Sequence, residues 1–191
     1  KEYPRLVEKN HNPIKRLIYD MIDKGLTSIY VEKQEDYQEI ESYLKEISQK
    51  KVDLIIQDHI LEKYDLKKQL ERSKSRKIWL NCGGFITIDK TEALTAIDVN
   101  SGKYTGKREV EQTIFKVNRE ATKEIAKQIR LRDIGGIIVI DYIDMVEEKH
   151  KQELIELLEV FLKQDRSKTQ VLGFTKLNLL EMTRKHICSE E

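Results

Sequence analysis

The sequence lacks most of the marks of a secreted, membrane-bound or fibrous chain. It has two cysteines, Cys82 and Cys188, far apart. That excludes a disulfide framework and reads as free thiols in a reducing compartment. Two prolines and eight glycines in 191 residues exclude long disordered linkers. Aromatic residues are scarce, at 7%. No apolar run approaches the roughly 18 residues that span a bilayer. No signal peptide is visible, so a cytoplasmic location is the default. The chain starts at Lys1 without a methionine and reads as a piece of something longer.

Charge of one sign is also missing. Thirty-five basic residues against 34 acidic ones leave a formal net charge of +1. Overall charge therefore gives no pointer to nucleic acid. Any grip on phosphate must come from local clusters. Lys67-Lys68, Arg72 to Lys77, and Lys103 with Lys107 and Arg108 are such stretches. Each reads equally as a solvated face. The phosphate loop G-x-x-x-x-G-K-[ST] and the G-x-G-x-x-G fingerprint are both absent. His11, His59, His150 and His186 show no zinc-ligand spacing with cysteine beyond the isolated pair His186 and Cys188. Cys82 has no evident base beside it and reads as a structural thiol.

What is present suffices for a core: 39% hydrophobic residues beside 36% charged ones. Asn12 and Pro13 predict a helix start, with Ile14, Leu17, Ile18, Met21 and Ile22 on one face and Gly25 as the stop. A strand at Ser28 to Val31 follows. A second helix carries Tyr37, Ile40, Leu44 and Ile47, and a strand covers Val52 to Ile56. Residues 59 to 73 read as a helix. Composition shifts near Lys74, which divides the chain into residues 1–73 and 74–191. Strands are predicted at Lys77 to Leu80, Phe85 to Ile88 and Leu94 to Val99, with Asp89-Lys90 as a turn; together they fit an antiparallel meander. A long helix spans Lys107 to Leu131. Ile137 to Ile140 is an unbroken apolar strand, the pattern of burial on both faces. A helix at 147 to 164, a strand at Thr169 to Phe174 and a closing helix at Leu177 to Ile187 complete an α/β layered domain.

The chemistry centres on two aspartates. Asp98 interrupts the apolar strand Ala96-Ile97-Asp98-Val99-Asn100, and Asp141 closes the strand of Ile137 to Ile140, with Asp144 just beyond. A buried carboxylate without a partner is costly, and a cation is one remedy. Two strands of one sheet can bring the pair within reach of a single magnesium ion, which takes one or two carboxylates, waters and a substrate phosphate. The alternative is that each aspartate caps a helix or turn. Asn100 fits both readings. Trp79 and Tyr104 could stack on bases. For Trp79 a core position is expected, whereas Tyr104 sits in the basic loop of Lys103, Lys107 and Arg108.

At these residues the sequence resembles the ribonuclease E/G family, bacterial endoribonucleases of RNA processing and decay. The resemblance runs through Gly83-Gly84-Phe85-Ile86-Thr87-Ile88-Asp89 and Thr91-Glu92-Ala93-Leu94-Thr95-Ala96-Ile97-Asp98-Val99-Asn100-Ser101-Gly102-Lys103. It continues at Asn118, Glu120-Ala121, Ile129 to Met145, Gln164-Asp165-Arg166 and Leu180 to Lys185. It is dense over residues 74 to 187 and looser before. It implies a deoxyribonuclease-I-like catalytic subdomain at 74–191, preceded by a partial ribonuclease-H-like α/β subdomain at 1–73. It implies that Asp98 and Asp141 coordinate Mg2+ and that Asn100 positions Asp98. The implied reaction is hydrolysis of single-stranded RNA to 5′-phosphate and 3′-hydroxyl ends, with Lys103, Lys107 and Arg108 steering the RNA backbone.

Several departures accompany the resemblance. The S1 module and the 5′-end sensor that precede this region in the family are absent from the sequence, so weak substrate grip is expected. The family's two-cysteine zinc link is not matched by Cys188 alone. A zinc-linked dimer is therefore not supported, although the full-length enzyme could be a homo-oligomer. Cys82 stands where the family usually has serine, and Asn178 where it often has glycine; asparagine tolerates the left-handed backbone. Two rival readings remain: a non-catalytic RNA-binding or assembly fragment, and a metal-dependent phosphoesterase acting on small substrates.

Overall fold

The computed structural model describes residues 12–22, 25–47, 52–102 and 110–187. The chain divides into two compact units, Lys1–Gln69 and Leu70–Glu191. The compositional boundary at residue 73 falls inside a helix, Leu66–Lys74, within which the division between the units also lies.

In the first unit, helix α1 (Pro13–Ile22) opens as expected. The Asn12 side chain accepts the Ile14 N–H at 3.0 Å and so satisfies one orphan donor of the first turn. Gly25 takes φ +89° at the stop. Strands β1 (Ser28–Val31) and β2 (Asp53–Ile56) pair in parallel, joined through helix α2 (Gln34–Ile47). Ile18, Val31, Ile40 and Tyr43 form a small core of their own. The helix expected over 59 to 73 is instead two, α3 (Ile60–Lys63) and α4 (Leu66–Lys74). Asp65 breaks it by adopting φ +52°, which a helix interior does not admit.

The second unit is a six-stranded mixed sheet in the order β3-β4-β5-β6-β8-β7. Its strands are β3 (Lys77–Trp79), β4 (Phe85–Lys90), β5 (Leu94–Asn100), β6 (Gly136–Asp141), β7 (Thr169–Phe174) and β8 (Leu179–Arg184). The first three form the expected antiparallel meander. β4 runs on through Asp89 and Lys90, so the turn falls later. There the Thr91 hydroxyl donates to the Leu94 carbonyl at 2.7 Å and accepts the Leu94 N–H at 3.1 Å. β5 and β6 are parallel, and parallel neighbours need a long crossover; helix α5 (Val110–Leu131) supplies it.

One face of this sheet is dry. Val117, Ala121, Ile125 and Ile129 recur every four residues along α5, and all are at most 1% exposed. Leu154, Leu158 and Leu162 of helix α6 (Glu148–Leu162) recur likewise and are all buried. Both rows pack against Ile78, Ile86, Ile97, Ile138, Ile140, Leu180 and Met182 from the strands. Each fully buried aliphatic side chain contributes roughly 1.5–3 kcal/mol.

Two expectations are corrected here. β6 is not buried on both faces: Ile138 and Ile140 are fully buried, but Ile137 is 52% exposed. The closing helix is strand β8. Its Leu180, Met182 and Arg184 point inward while Glu181 is exposed, a period of two. Leucine, glutamate and methionine favour helix. Pairing with β6 on one side and β7 on the other outweighs that weak preference. Asn178, in the turn before β8, has φ +60°, the left-handed backbone that asparagine accepts.

Candidate functional site

The sheet's other face carries the acidic pair. In the parallel register of β5 and β6, Asp98 is the direct partner of Asp141. Neighbouring strands lie about 4.8 Å apart, and directly opposed residues point to the same side. The flanking residues Ile97, Val99 and Ile140 are buried against the helices, so both carboxylates project from the opposite face, and both residues are exposed. The expected meeting of two aspartates more than forty positions apart is thus a consequence of strand register. Neither caps a helix among the described hydrogen bonds.

Asn100 is the next residue of β5 on the same side, and its Nδ2 donates to Asp98 Oδ2 at 2.5 Å. Asp141 is exposed as a residue, yet the protein around its carboxyl strips part of its hydration. That loss, followed by repulsion from Asp98 and Asp144, pushes its pKa above the usual carboxylate range. The sign of the consequence follows. Without a divalent ion, the native state gains stability as pH falls through this raised pKa and loses it as pH rises. We expect Asp98→Asn to bring the Asp141 titration part of the way back down, since burial remains. Carboxyl-detected NMR reads this directly, and an unmoved Asp141 would show that the two carboxylates do not share a field.

The surrounding loops are held by side chains to which the sequence reading assigned no role. Asn118 of α5 is fully buried. Its Nδ2 donates to the Ile143 carbonyl at 2.8 Å and its Oδ1 accepts the Ile143 N–H at 3.2 Å, fixing the chain just after Asp141. Tyr142, buried beside it, meets the Thr122 hydroxyl at 2.9 Å, and burial pushes its phenol well up. Asn178 donates to Asp144 at 3.4 Å and accepts from Lys151 at 3.0 Å. At the other end, the Glu120 carboxylate accepts the N–H groups of Asn81 and Cys82. Gly84 sits so close to β5 that a Cβ there would lie 2.7 Å from the Asn100 carbonyl oxygen. Only glycine lets this turn approach Asn100. The Cys82 thiol is pushed up, mainly by burial, which is the opposite of what a nucleophile needs.

Three further placements matter. Lys103, Tyr104, Lys107, Arg108 and Cys188 lie outside the described residues. Arg76 forms a two-pronged pair with Asp89 at 2.5 and 2.7 Å, and its charge also reaches Asp98. Trp79, expected in the core, is 56% exposed. It lies on β3 opposite Phe85, on the same face as Asn100, because the core side of β3 is taken by Ile78.

A second group with metal-ligand chemistry went unread in the sequence. Glu111, Glu147 and His150 place one ligand atom each within 4.8 Å of one another. The protein already satisfies much of it. Glu111 accepts the N–H groups of Val146 and Glu147, both at 3.2 Å, and His150 Nδ1 lies 2.9 Å from its carboxylate. His150, above all, holds the Glu111 carboxyl below the usual range. The imidazole stacks on Phe115 at 4.1 Å. Glu111 thereby ties α5 to the start of α6. No spacing rule signals such a trio, since Glu111 and His150 are 39 residues apart.

Of the two groups, the aspartate pair better suits a hard cation. It offers oxygen donors only, side by side and open to solvent, with a third carboxylate near and repulsion from both neighbours felt at Asp141. The molecule is thus a mixed α/β protein whose second unit carries an acidic pair on the face of its sheet opposite the helices. The sequence pattern of the Ribonuclease E/G family matches residues 1–187, and the chain belongs to that family. It is 40% identical to ribonuclease G of Salmonella typhimurium (strain SL1344) over 174 residues, 89% of this chain and 36% of that protein. It is 40% identical to a putative ribonuclease E of Buchnera aphidicola subsp. Baizongia pistaciae over 95% of this chain and 46% of that protein. Ribonuclease E of Escherichia coli (strain K12) is 44% identical over 124 residues, 65% of this chain and 12% of that protein. The chain spans about a third of the length of the first of these curated relatives.

Proposed function

We infer that this chain carries the catalytic face of a magnesium-dependent endoribonuclease, which hydrolyses single-stranded RNA to 5′-phosphate and 3′-hydroxyl ends in RNA processing and decay in the cytoplasm. The observation that carries this reading is the register: Asp98 opposite Asp141, with Asn100 hydrogen-bonded to the first. In this reading the second unit is the deoxyribonuclease-I-like subdomain and the first a portion of the ribonuclease-H-like one. Family membership supports RNA as the substrate.

Asp98 and Asp141 would hold the ion, and a bound Mg2+ would supply charge neutralisation at phosphorus and activation of the attacking water. The chain's own residues do the rest. Asn100 fixes the rotamer of Asp98 by donating to its Oδ2, which would leave the other oxygen for a metal. Asn118 and the buried Tyr142 hold the loop beyond Asp141. The exposed setting leaves room for a polymer to lie across the sheet, which favours RNA over a small phosphoester. Lys103, Lys107 and Arg108 are proposed to contact its backbone, and the full-length protein could be a homo-oligomer.

Asn100→Ala tests the positioning role. We expect apparent magnesium affinity to fall about 10- to 100-fold, as it does when a partner of a metal ligand is lost. Saturating Mg2+ should restore most of the cleavage rate. A loss that no Mg2+ concentration repairs would place Asn100 on the substrate instead. Cleavage of a short single-stranded RNA by the aspartate variants tests the reading as a whole. RNA binding by this chain that ignores both magnesium and the two aspartates would replace it with a non-catalytic assembly or RNA-binding role.

A further inference from the structure

An exposed aromatic shelf adjoins the acidic pair. Trp79 and Phe85 face each other across β3 and β4 with ring centroids 5.2 Å apart at an interplanar angle of 60°. The Lys77 ammonium lies 4.2 Å from the Trp79 centroid and 3.6 Å from that of Phe85. Burying an indole stabilises a fold, so a tryptophan left 56% exposed in a chain this poor in aromatics calls for an explanation. The shelf is rigid at its base. Arg72 donates to the Trp79 carbonyl at 2.7 Å, which pins the edge strand, and Ile78 between Lys77 and Trp79 is buried.

Its position relative to the aspartates follows from the register. Trp79 pairs with Phe85, and Phe85 with Asn100; one same-side step back along the strands, Lys77 pairs with Thr87, and Thr87 with Asp98. Two strand spacings and one two-residue step put Trp79 on the order of 12 Å from Asp98, a span that a short stretch of extended sugar-phosphate bridges. The cation on this same face is Lys77; the basic side chains Lys123, Lys127 and Arg130 of α5 line a separate cavity of about 570 Å3 on the helix side of the sheet. An aromatic surface with a lysine at its edge is a combination with which proteins grip single strands: rings stack on bases, and the cation meets a phosphate.

We propose that Trp79, backed by Phe85 and flanked by Lys77, is a nucleobase-stacking subsite that seats one unpaired base of the RNA beside the scissile phosphate. This rests on the endoribonuclease reading and adds to it a point of contact within the described residues. Stacking accepts any base, so the subsite selects for single strands rather than for sequence. A duplex, whose bases are already stacked on one another, cannot offer one to the shelf.

Trp79 is the only tryptophan of the chain, so its emission reports on the site alone. Two strands are compared in chelator, where nothing is cut: a short oligouridylate and an abasic ribose-phosphate strand of equal length and charge. We expect saturable quenching by the first and little by the second. Equal responses would show that only charge is felt and would overturn the proposal. In cleavage assays on the full-length protein, Trp79→Ala should raise KM for the base-bearing RNA by about fivefold to a hundredfold, the range of one stacked base, with a smaller effect on kcat. Trp79→Phe, which keeps a ring, should retain most of the affinity and guards against misfolding of the alanine variant. If both variants keep the parent KM and the parent preference over the abasic strand, the shelf is no subsite. The two readings fail separately. Cleavage that survives Asp98→Asn rejects the metal centre whatever Trp79 does. Cleavage lost with Asp98→Asn but indifferent to Trp79 rejects the shelf alone.

Discussion

Asp98→Asn and Asp141→Asn are each expected to lower RNA cleavage roughly 100- to 1,000-fold, the loss that follows removal of one electrostatic contact to a developing charge. The substitutions keep shape and remove one negative charge, and both residues stand on the exposed face of the sheet, so the fold should tolerate them. Thermal melts separate the causes. In chelator the variants should melt at or slightly above the parent, because the repulsion that adds to burial in raising Asp141 has been relieved. In magnesium the parent should rise above both, since an ion that binds only the native state stabilises it by mass action. Parent-like cleavage in both variants, or melting shifts indifferent to magnesium, would remove the pair from the mechanism.

The largest stability effect is expected elsewhere. Arg184→Leu should destabilise the second unit by about 3–5 kcal/mol, the usual result of removing one partner from a buried ion pair. The Arg184 side chain has no exposed surface, and its partner Asp165 retains 2%. The guanidinium donates to Asp165 at 2.8 and 3.3 Å, to Asp133 at 2.7 Å and to the Ile134 carbonyl at 2.9 Å. Leucine would fill part of the volume but take the cation from two carboxylates, leaving Asp133 with the Ile187 N–H and Asp165 with the Ser167 N–H. Burial by itself would push Asp165 up; Arg184, the Ser167 N–H and Arg130 together bring it below the usual carboxylate range. A depressed native pKa gives stability that is present above the unfolded value and lost as pH falls through the native one. Denaturant titrations of the parent should therefore show an acid-side loss that is blunted in Arg184→Leu. A variant of unchanged midpoint would mean that the pair is energetically neutral.

The two results bear on what a sequence discloses. The run Ala96 to Asn100 and the strand ending in Asp141 were legible as strands, because alternation and apolar density are local properties. Whether their aspartates served a metal or a turn was not, because that depends on how two distant strands align. Arg184 was misplaced altogether: Leu-Leu-Glu-Met reads as helix, and only the gap between β6 and β7 makes it a strand. Trp79 was expected in the core, yet the neighbouring Ile78 takes the inward position and leaves the indole outside. Asn118 and Glu120 were legible only as part of the family pattern, without a role, and Glu111 not at all, since each serves backbone amides in loops far along the chain. Such partners have no side-chain pattern to read.

Among the described residues, β5 and β6 are the one parallel pair in the six-stranded sheet. The polypeptide leaves β5 at Asn100 and returns to β6 only after α5 has been laid down. At about 5–20 residues per second, a ribosome delivers the second aspartate several seconds after the first. A growing chain therefore carries half of the acidic pair, and one cut short before β6 never completes it. If the pair cuts RNA, its maker is spared: the messenger still threaded through the ribosome meets no competent nuclease until β6 has joined the sheet.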